Sequence, residues 1–180
     1  MLSYGLTATS ELRLLMPHHA VELAAVVSKN ADHIGRWLQW ATPEYDEDAA
    51  RVFIQRALQK LVDNNGMELG IFHENRLAGV TGYLFWDWRS RRTEIGYWLA
   101  TEYQGQGLMT RAVRALTGYA LGELGLNRVE IRMDVENDRS AAIPERLGYT
   151  FEGVRHQYDY LNGEPRDTRF FVMLAENWHS

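Results

Sequence analysis

One stretch, residues 94–121 (EIGYWLATEYQGQGLMTRAVRALTGYAL), limits the fold of this chain more than any other. Up to residue 100 the pattern is that of a β-strand, with bulky Ile95, Tyr97 and Leu99 on one side and Glu94, Gly96 and Trp98 on the other. After Gly107, apolar residues recur every three or four positions, as in an amphipathic helix. Gly105 and Gly107 permit positive φ and close backbone approach, so the free N–H groups of the helix start can converge on an anion. The stretch therefore predicts a strand, an anion-binding loop and a helix in direct succession.

The run QGQGLM, residues 104–109, resembles the Q-x-x-G-x-G/A signature of the GNAT acyltransferases. Gln104 and Gly107 match it, and Met109 stands where the broad signature has Gly or Ala. The longer run EIGYWLATEYQGQGLMTRAV is similar to the RimJ/RimL branch, which acetylates protein N-termini and in which a larger residue there is common. The resemblance implies acetyl-CoA as cosubstrate. The positions it places at the cofactor are Leu99, Ala100, Gln104, Gly105, Gln106, Gly107, Leu108, Met109 and Thr110.

A second run, NDRSAAIPERLGYT, resembles the N-x-x-S…E-K-L-G-F landmark of the same branch. The resemblance implies that Asn137 contacts the pantetheine arm and that Ser140 lies beside the sulfur. The residues alone predict a helix whose N-cap is Asn137, Asp138 or Ser140 and whose C-cap is Gly148, and capping is compatible with cofactor contact. Many GNAT enzymes have a tyrosine as proton donor three residues before the Leu-Gly step, but here Pro144 occupies that position. Ser140 is then the nearest substitute, as a hydrogen-bond donor to the departing thiolate.

Glu94 is the candidate general base, acting through water. It lies on the strand that precedes the phosphate loop, and the resemblance implies a catalytic glutamate here in some superfamily members. The alternative is a strand carboxylate paired with an arginine. Both interpretations remain open from the sequence.

The candidate acceptor wall is aromatic. Trp37 and Trp40 form a segment similar to the W-x-x-W stretch that borders the acceptor site in the RimJ/RimL branch, and Tyr83 is expected on the same side. An aromatic cluster that only packs beneath a loop is the alternative.

The order of the elements predicts an α+β fold with helices on both faces of a mixed, mostly antiparallel sheet of about six or seven strands, as the resemblance also implies. A strand, a crossover helix and a further strand from residue 128 should place those two strands parallel. Asp46 begins a run of three acidic residues that predicts the start of a helix extending to Val62. Asn162 and Gly163 predict a two-residue hairpin turn near the C-terminus.

Composition narrows the function further. A length of 180 residues with 46% hydrophobic content is typical of one domain, expected over residues 1–180. The chain has no cysteine, which excludes a cysteine nucleophile and agrees with direct transfer in a ternary complex. A net charge of −5 argues against direct nucleic-acid binding and suits a cationic amine. No segment has the pattern of a membrane span or signal peptide, so a cytoplasmic protein is expected; no metal is expected either.

The acceptor is left open by the sequence. An α-amine with a pKa near 8 is roughly one-tenth neutral at pH 7, against about one part in a few thousand for lysine, so a protein N-terminus such as that of a ribosomal protein is favoured. A small amine, namely a polyamine, an amino acid or an antibiotic, is the first alternative. A non-catalytic regulator that binds acetyl-CoA is the second. The expected partners are acetyl-CoA, the amine acceptor and, as one option, a second copy of the chain.

Overall fold

The computed structural model describes residues 3–179. Within them one eight-stranded sheet has the spatial order β1-β2-β3-β4-β5-β6-β8-β7, and its only parallel pair is β5–β6. The strands are β1 (Ser3–Gly5), β2 (Ser10–Leu14), β3 (Met67–His73), β4 (Arg76–Asp87), β5 (Arg92–Leu99), β6 (Arg128–Asp134), β7 (Thr150–Leu161) and β8 (Glu164–Leu174). The predicted mixed, mostly antiparallel sheet is confirmed.

The sheet has eight strands, one more than the upper figure of the six or seven predicted. The additional strand is β1, three residues that pair with the outer side of β2. All three are exposed, so they carry no alternation between apolar and polar positions. A strand of this kind leaves no periodic signal in the sequence.

Helices cover both faces of the sheet, as predicted. They are α1 (Ala20–Lys29), α2 (Ala31–Gly35), α3 (Glu47–Val62), α4 (Leu108–Gly118) and α5 (Asp138–Arg146). On one face, Leu23 and Ile54 of α1 and α3 pack in a core with Phe72 of β3. On the other face, α4 and α5 pack against the larger core. No helix in residues 3–179 is long and apolar enough to cross a membrane.

The start of α3 shows why its acidic residues are there. Asp46 is the N-cap, and its Oδ1 accepts a hydrogen bond of 2.9 Å from the N–H of Ala49. Glu47 and Asp48 follow in the first turn, where carboxylates interact favourably with the helix dipole. The predicted capping role of this acidic run is confirmed.

The parallel pair is short and then opens. β5 and β6 pair at three positions, and Glu94 opposite Glu130 is the last of them. Beyond this point β5 stays paired with β4, while β6 stays paired with β8. A gap therefore opens in the middle of the sheet directly after Glu94.

The hairpin of β7 and β8 bends towards α2 and α3. Its turn is Asn162–Gly163, both with positive φ (55° and 80°), which is the turn that the sequence predicts. Lower down, β7 bulges, with the N–H of Gln157 donating to Oδ1 of Asp167 at 2.8 Å. Such bulges bend a strand. At the tip, Gln39 Nε2 donates to the Tyr160 carbonyl at 2.8 Å, which joins the hairpin to the segment between α2 and α3.

Candidate functional site

A cavity of about 1990 Å³ passes through the gap between β5 and β6. On one face of the sheet its walls come from the loop before α4, the first turn of α4, and α5. On the other face they come from residues 36–45, the side of α3 and the tip of the β7–β8 hairpin. Glu94 lies on its wall, next to the point where the strands separate. The cavity thus connects two different chemical environments across the sheet.

The loop before α4 has the geometry of an anion site. Gly105 and Gly107 have φ values of 75° and 73°, and Gly107 is the N-cap of the helix. No side chain in the described residues caps α4, so the N–H groups of its first turn keep no side-chain partner. A Cβ placed on either glycine would meet no atom within 4 Å, which means that the space in front of the loop is open. Leu108 and Met109 are buried at the edge of the cavity, and the space in front of the two glycines stays open despite the larger residue at 109.

Two arginines on α5 add positive charge beside this loop. Arg146 Nη1 donates to Thr110 Oγ1 at 3.0 Å, and Arg139 Nη1 donates to Gln104 Oε1 at 2.5 Å. They lie seven residues apart, which is two turns on the same side of a helix. Sequence reasoning missed both, although that spacing within the predicted helix was a usable signal.

The side chain of Gln104 connects Arg139 to His33. While its Oε1 holds Arg139, its Nε2 lies 2.6 Å from His33 Nε2. Burial and the charge of Arg139 lower the pKa of His33, so the ring is neutral at pH 7 and can accept the amide hydrogen. Gln104 therefore orients an arginine beside the loop, and because it also lines the cavity its contact with the cofactor stays a prediction.

Two of the expected cofactor residues lie elsewhere. Ala100 is completely buried, and its N–H donates to the carbonyl of Ala78 at 2.8 Å, so the cavity does not reach it. Gln106 is exposed, and its side-chain amide donates to the Glu102 carbonyl at 3.3 Å, outside the cavity wall. Leu99 does line the cavity. Ala100 lies off the cavity wall because the backbone after Leu99 continues its pairing with β4 by one residue.

Glu94 has an arginine partner and also lies on the cavity wall. The residue is only 8% exposed, and Arg132 Nε donates to its Oε1 at 2.7 Å. Burial raises the pKa of Glu94, and the guanidinium of Arg132 offsets this only in part. The arginine partner is therefore real. The carboxylate also lines the cavity, so a role as a base stays a prediction.

Asn137 and Ser140 form the start of α5, and a tyrosine joins them. Asn137 Oδ1 accepts from the N–H of Ser140 at 3.1 Å, which is the predicted N-cap. The Oγ of Ser140 lies 3.1 Å from the hydroxyl of Tyr97 on β5. Sequence reasoning did not place Tyr97 in the site. It lies three residues after Glu94 on the same strand, so its side chain points to the opposite face of the sheet, where α5 begins.

On the face of the sheet that carries α1 and α3, aromatic rings form an open wall. Trp40 is 44% exposed, and its ring lies 6.3 Å from that of Trp98 and 5.6 Å from that of Tyr45. Trp37 also lines the cavity, with the guanidinium of Arg36 4.8 Å from its ring.

Tyr83 is not part of this wall, contrary to expectation. It is fully buried, and its hydroxyl donates to the Leu116 carbonyl of α4 at 2.5 Å. Its side chain thus points to the α4 face of the sheet and packs in the core there. Trp98, on the same face of β5 as Glu94, occupies the place that was predicted for it.

Together these features place an open helix start, a buried carboxylate and an aromatic wall along one cavity that crosses the sheet, an arrangement that fits a transferase with a separate donor and acceptor side. Among residues 3–179 no group of three or more His, Asp or Glu side chains could hold a metal ion. The sequence model of the GNAT acetyltransferase domain matches residues 11–150. The chain belongs to the GNAT family of acetyltransferases.

Similar proteins have related names. YdaF of Bacillus subtilis (strain 168), named as a candidate ribosomal N-acetyltransferase, is 37% identical over 168 residues, covering 93% of this chain and 92% of YdaF. The ribosomal-protein-serine acetyltransferase of Escherichia coli (strain K12) is 26% identical over 167 residues, 93% of each chain. The solved structure of RimL, a ribosomal L7/L12 alpha-N-protein acetyltransferase in complex with coenzyme A, has a TM-score of 0.89 and 27% identity, covering 96% of this chain and 97% of RimL.

Proposed function

We propose that this acetyltransferase moves the acetyl group of acetyl-CoA to the N-terminal α-amine of a protein, such as a ribosomal protein. The observation that carries the proposal is the continuous cavity that joins the α4 start, the gap at Glu94 and the open aromatic wall around Trp40. The names of YdaF, the serine acetyltransferase and RimL support the class of acceptor.

The residues present fit acetyl-CoA. Pyrophosphate would bind the free N–H groups of α4 in front of Gly105 and Gly107, with Arg139 and Arg146 as cationic neighbours. The pantetheine arm would follow the gap past Asn137, the N-cap of α5. There the backbone N–H and C=O groups of β5 and β6 no longer pair with each other and are available to a ligand. The bound thioester supplies an activated acyl group at the junction with the acceptor face.

The protein's share of the chemistry is orientation and proton transfer. The neutral amine attacks the thioester carbonyl, a C–N bond forms and the C–S bond breaks. The proton that the nitrogen loses passes through water to Glu94, whose raised pKa makes it a better base than an ordinary surface carboxylate. An α-amine suits such a carboxylate better than lysine does, because more of it is already neutral at pH 7.

An acceptor panel tests this function. We expect acetyl-CoA-dependent thiol release with a peptide that carries a free ribosomal-protein N-terminus, and at most one-tenth of that rate, roughly, with the same peptide blocked at its N-terminus. The blocked peptide keeps its lysines, so it separates α-amine from side-chain transfer. Faster release with spermidine than with the free peptide would assign the protein to small amines. Binding of coenzyme A without thiol release from any acceptor would identify a regulator.

Replacing Trp40 with alanine should raise KM for the peptide about tenfold and change KM for spermidine by less than about twofold. A peptide extends along the exposed ring, whereas a small amine reaches only the carboxylate at the gap. Steady-state kinetics with both acceptors provide the measurement. The matched control is Trp88→Ala, because Trp88 is similarly exposed (41%) but lies outside the cavity. If Trp40→Ala weakens both acceptors equally, the ring only packs against Trp98 and Tyr45.

A further inference from the structure

Helix α5 contains a proline that leaves one carbonyl without its usual partner. Pro144 is buried inside the helix and has no N–H, so it cannot donate to the carbonyl of Ser140 four residues earlier. The hydroxyl of Tyr97 lies 3.1 Å from that carbonyl and donates to it across the sheet–helix interface. The phenol of β5 thus replaces a backbone hydrogen bond that the sequence of α5 removes.

The same hydroxyl contacts the side chain of Ser140. Ser140 Oγ donates to the Tyr97 hydroxyl oxygen at 3.1 Å, and both residues line the cavity beside the gap. Because the carbonyl oxygen and Oγ are equally distant, the Tyr97 O–H bond can turn from one to the other without movement of the ring. Burial raises the pKa of Tyr97, which keeps the phenol protonated as a donor over the working pH range.

We infer that Tyr97 is a positioning residue that orients the Ser140 hydroxyl towards the departing sulfur; this rests on the proposed function. As the C–S bond breaks, the Ser140 hydroxyl donates to the sulfur, and Tyr97 turns its own hydrogen from the Ser140 carbonyl to Oγ. The thiolate leaves with the bonding electron pair and takes its proton from water, and the hydroxide that remains is neutralised by the proton that Glu94 received from the amine. Ser140 and Tyr97 each keep their proton, so no further reactant is needed.

A double-mutant cycle tests this arrangement. Tyr97→Phe should lower kcat about tenfold and leave KM for acetyl-CoA within about twofold. In a Ser140→Ala background, the same change should lower kcat by less than about twofold, because its effect passes through the missing hydroxyl. An equal loss in both backgrounds would overturn the inference, as would an unchanged kcat for Tyr97→Phe in an otherwise active enzyme.

A second variant separates this role from simple support of the helix. Pro144→Ala restores an N–H that can serve the Ser140 carbonyl, so Tyr97 is no longer needed there. In that background Tyr97→Phe should still lower kcat about tenfold. Disappearance of the loss would mean that the phenol only supports α5.

Tyr149→Phe is the matched control, since Tyr149 is a buried phenol that bonds Thr117 Oγ1 at 2.6 Å outside the cavity. It should lower the melting temperature while leaving kcat within about twofold. A tenfold loss of kcat in this control would mean that removal of any buried hydroxyl impairs turnover, which would overturn the specific role of Tyr97. If the wild-type protein releases no thiol with any acceptor, the proposed function fails instead.

Discussion

Replacing Glu94 with glutamine is expected to lower kcat by about a hundredfold or more while KM for acetyl-CoA changes by less than about twofold. The variant removes the proposed proton acceptor at the gap but keeps the shape of the side chain, and its amide oxygen can still accept from Arg132. Steady-state kinetics with a free-N-terminus peptide measure the effect.

The pH dependence of kcat provides a second test of the role of Glu94. A base must be deprotonated to act, so wild-type kcat should fall as the pH falls through the pKa of Glu94. Burial raises that pKa, which places the acidic limb above the usual range of a carboxyl group. In Glu94→Gln this limb should be absent. A variant with unchanged kcat and an unchanged acidic limb would show that Glu94 is only the ion-pair partner of Arg132.

Glu130 offers a matched control. It is the register partner of Glu94, is 9% exposed and pairs with Arg128 at 2.6 Å, but it does not line the cavity. Glu130→Gln should leave the plateau value of kcat within about twofold. Since the charge of Glu130 helps to raise the pKa of Glu94, its removal should move the acidic limb to lower pH.

Gly107→Val is expected to abolish the stabilisation of the protein by acetyl-CoA. Ligand at about a hundred times its Kd stabilises the wild type by about 2.7 kcal/mol, which corresponds to roughly 5–10 °C in Tm. A valine side chain at residue 107 would extend into the open space in front of the α4 N-terminus, where the phosphates are proposed to bind. Thermal melts with and without acetyl-CoA measure the shift.

The control must separate loss of binding from backbone strain. The left-handed φ of Gly107 alone should lower the Tm of the unliganded variant. Gly125→Val imposes the same kind of strain, since Gly125 has φ 65° and open space around it, but it lies away from the cavity. Both variants should melt earlier, and only Gly125→Val should keep the ligand shift. Full retention of the shift in Gly107→Val would place the phosphates elsewhere.

The sequence alone determined the features that depend on neighbouring residues. Gly107 at the α4 start, Asp46 at the start of α3 and the Asn162–Gly163 turn each act within a few positions of the backbone. The change from period two to period three or four marked β5 and α4, and the crossover between strands required β5 and β6 to be parallel. Local conformation and chain connectivity are sufficient for these features.

The tertiary structure alone decided which side chains meet. Alternation along a strand divides residues between two faces, but it does not say which face receives which helix, and so Tyr83 was expected at the acceptor wall that Trp98 occupies. The contact of Glu94 with Arg132 joins residues 38 positions apart, and that of Tyr97 with Ser140 joins residues 43 apart. Such contacts depend on packing of the whole sheet against its helices, because no short-range preference of either residue specifies the other.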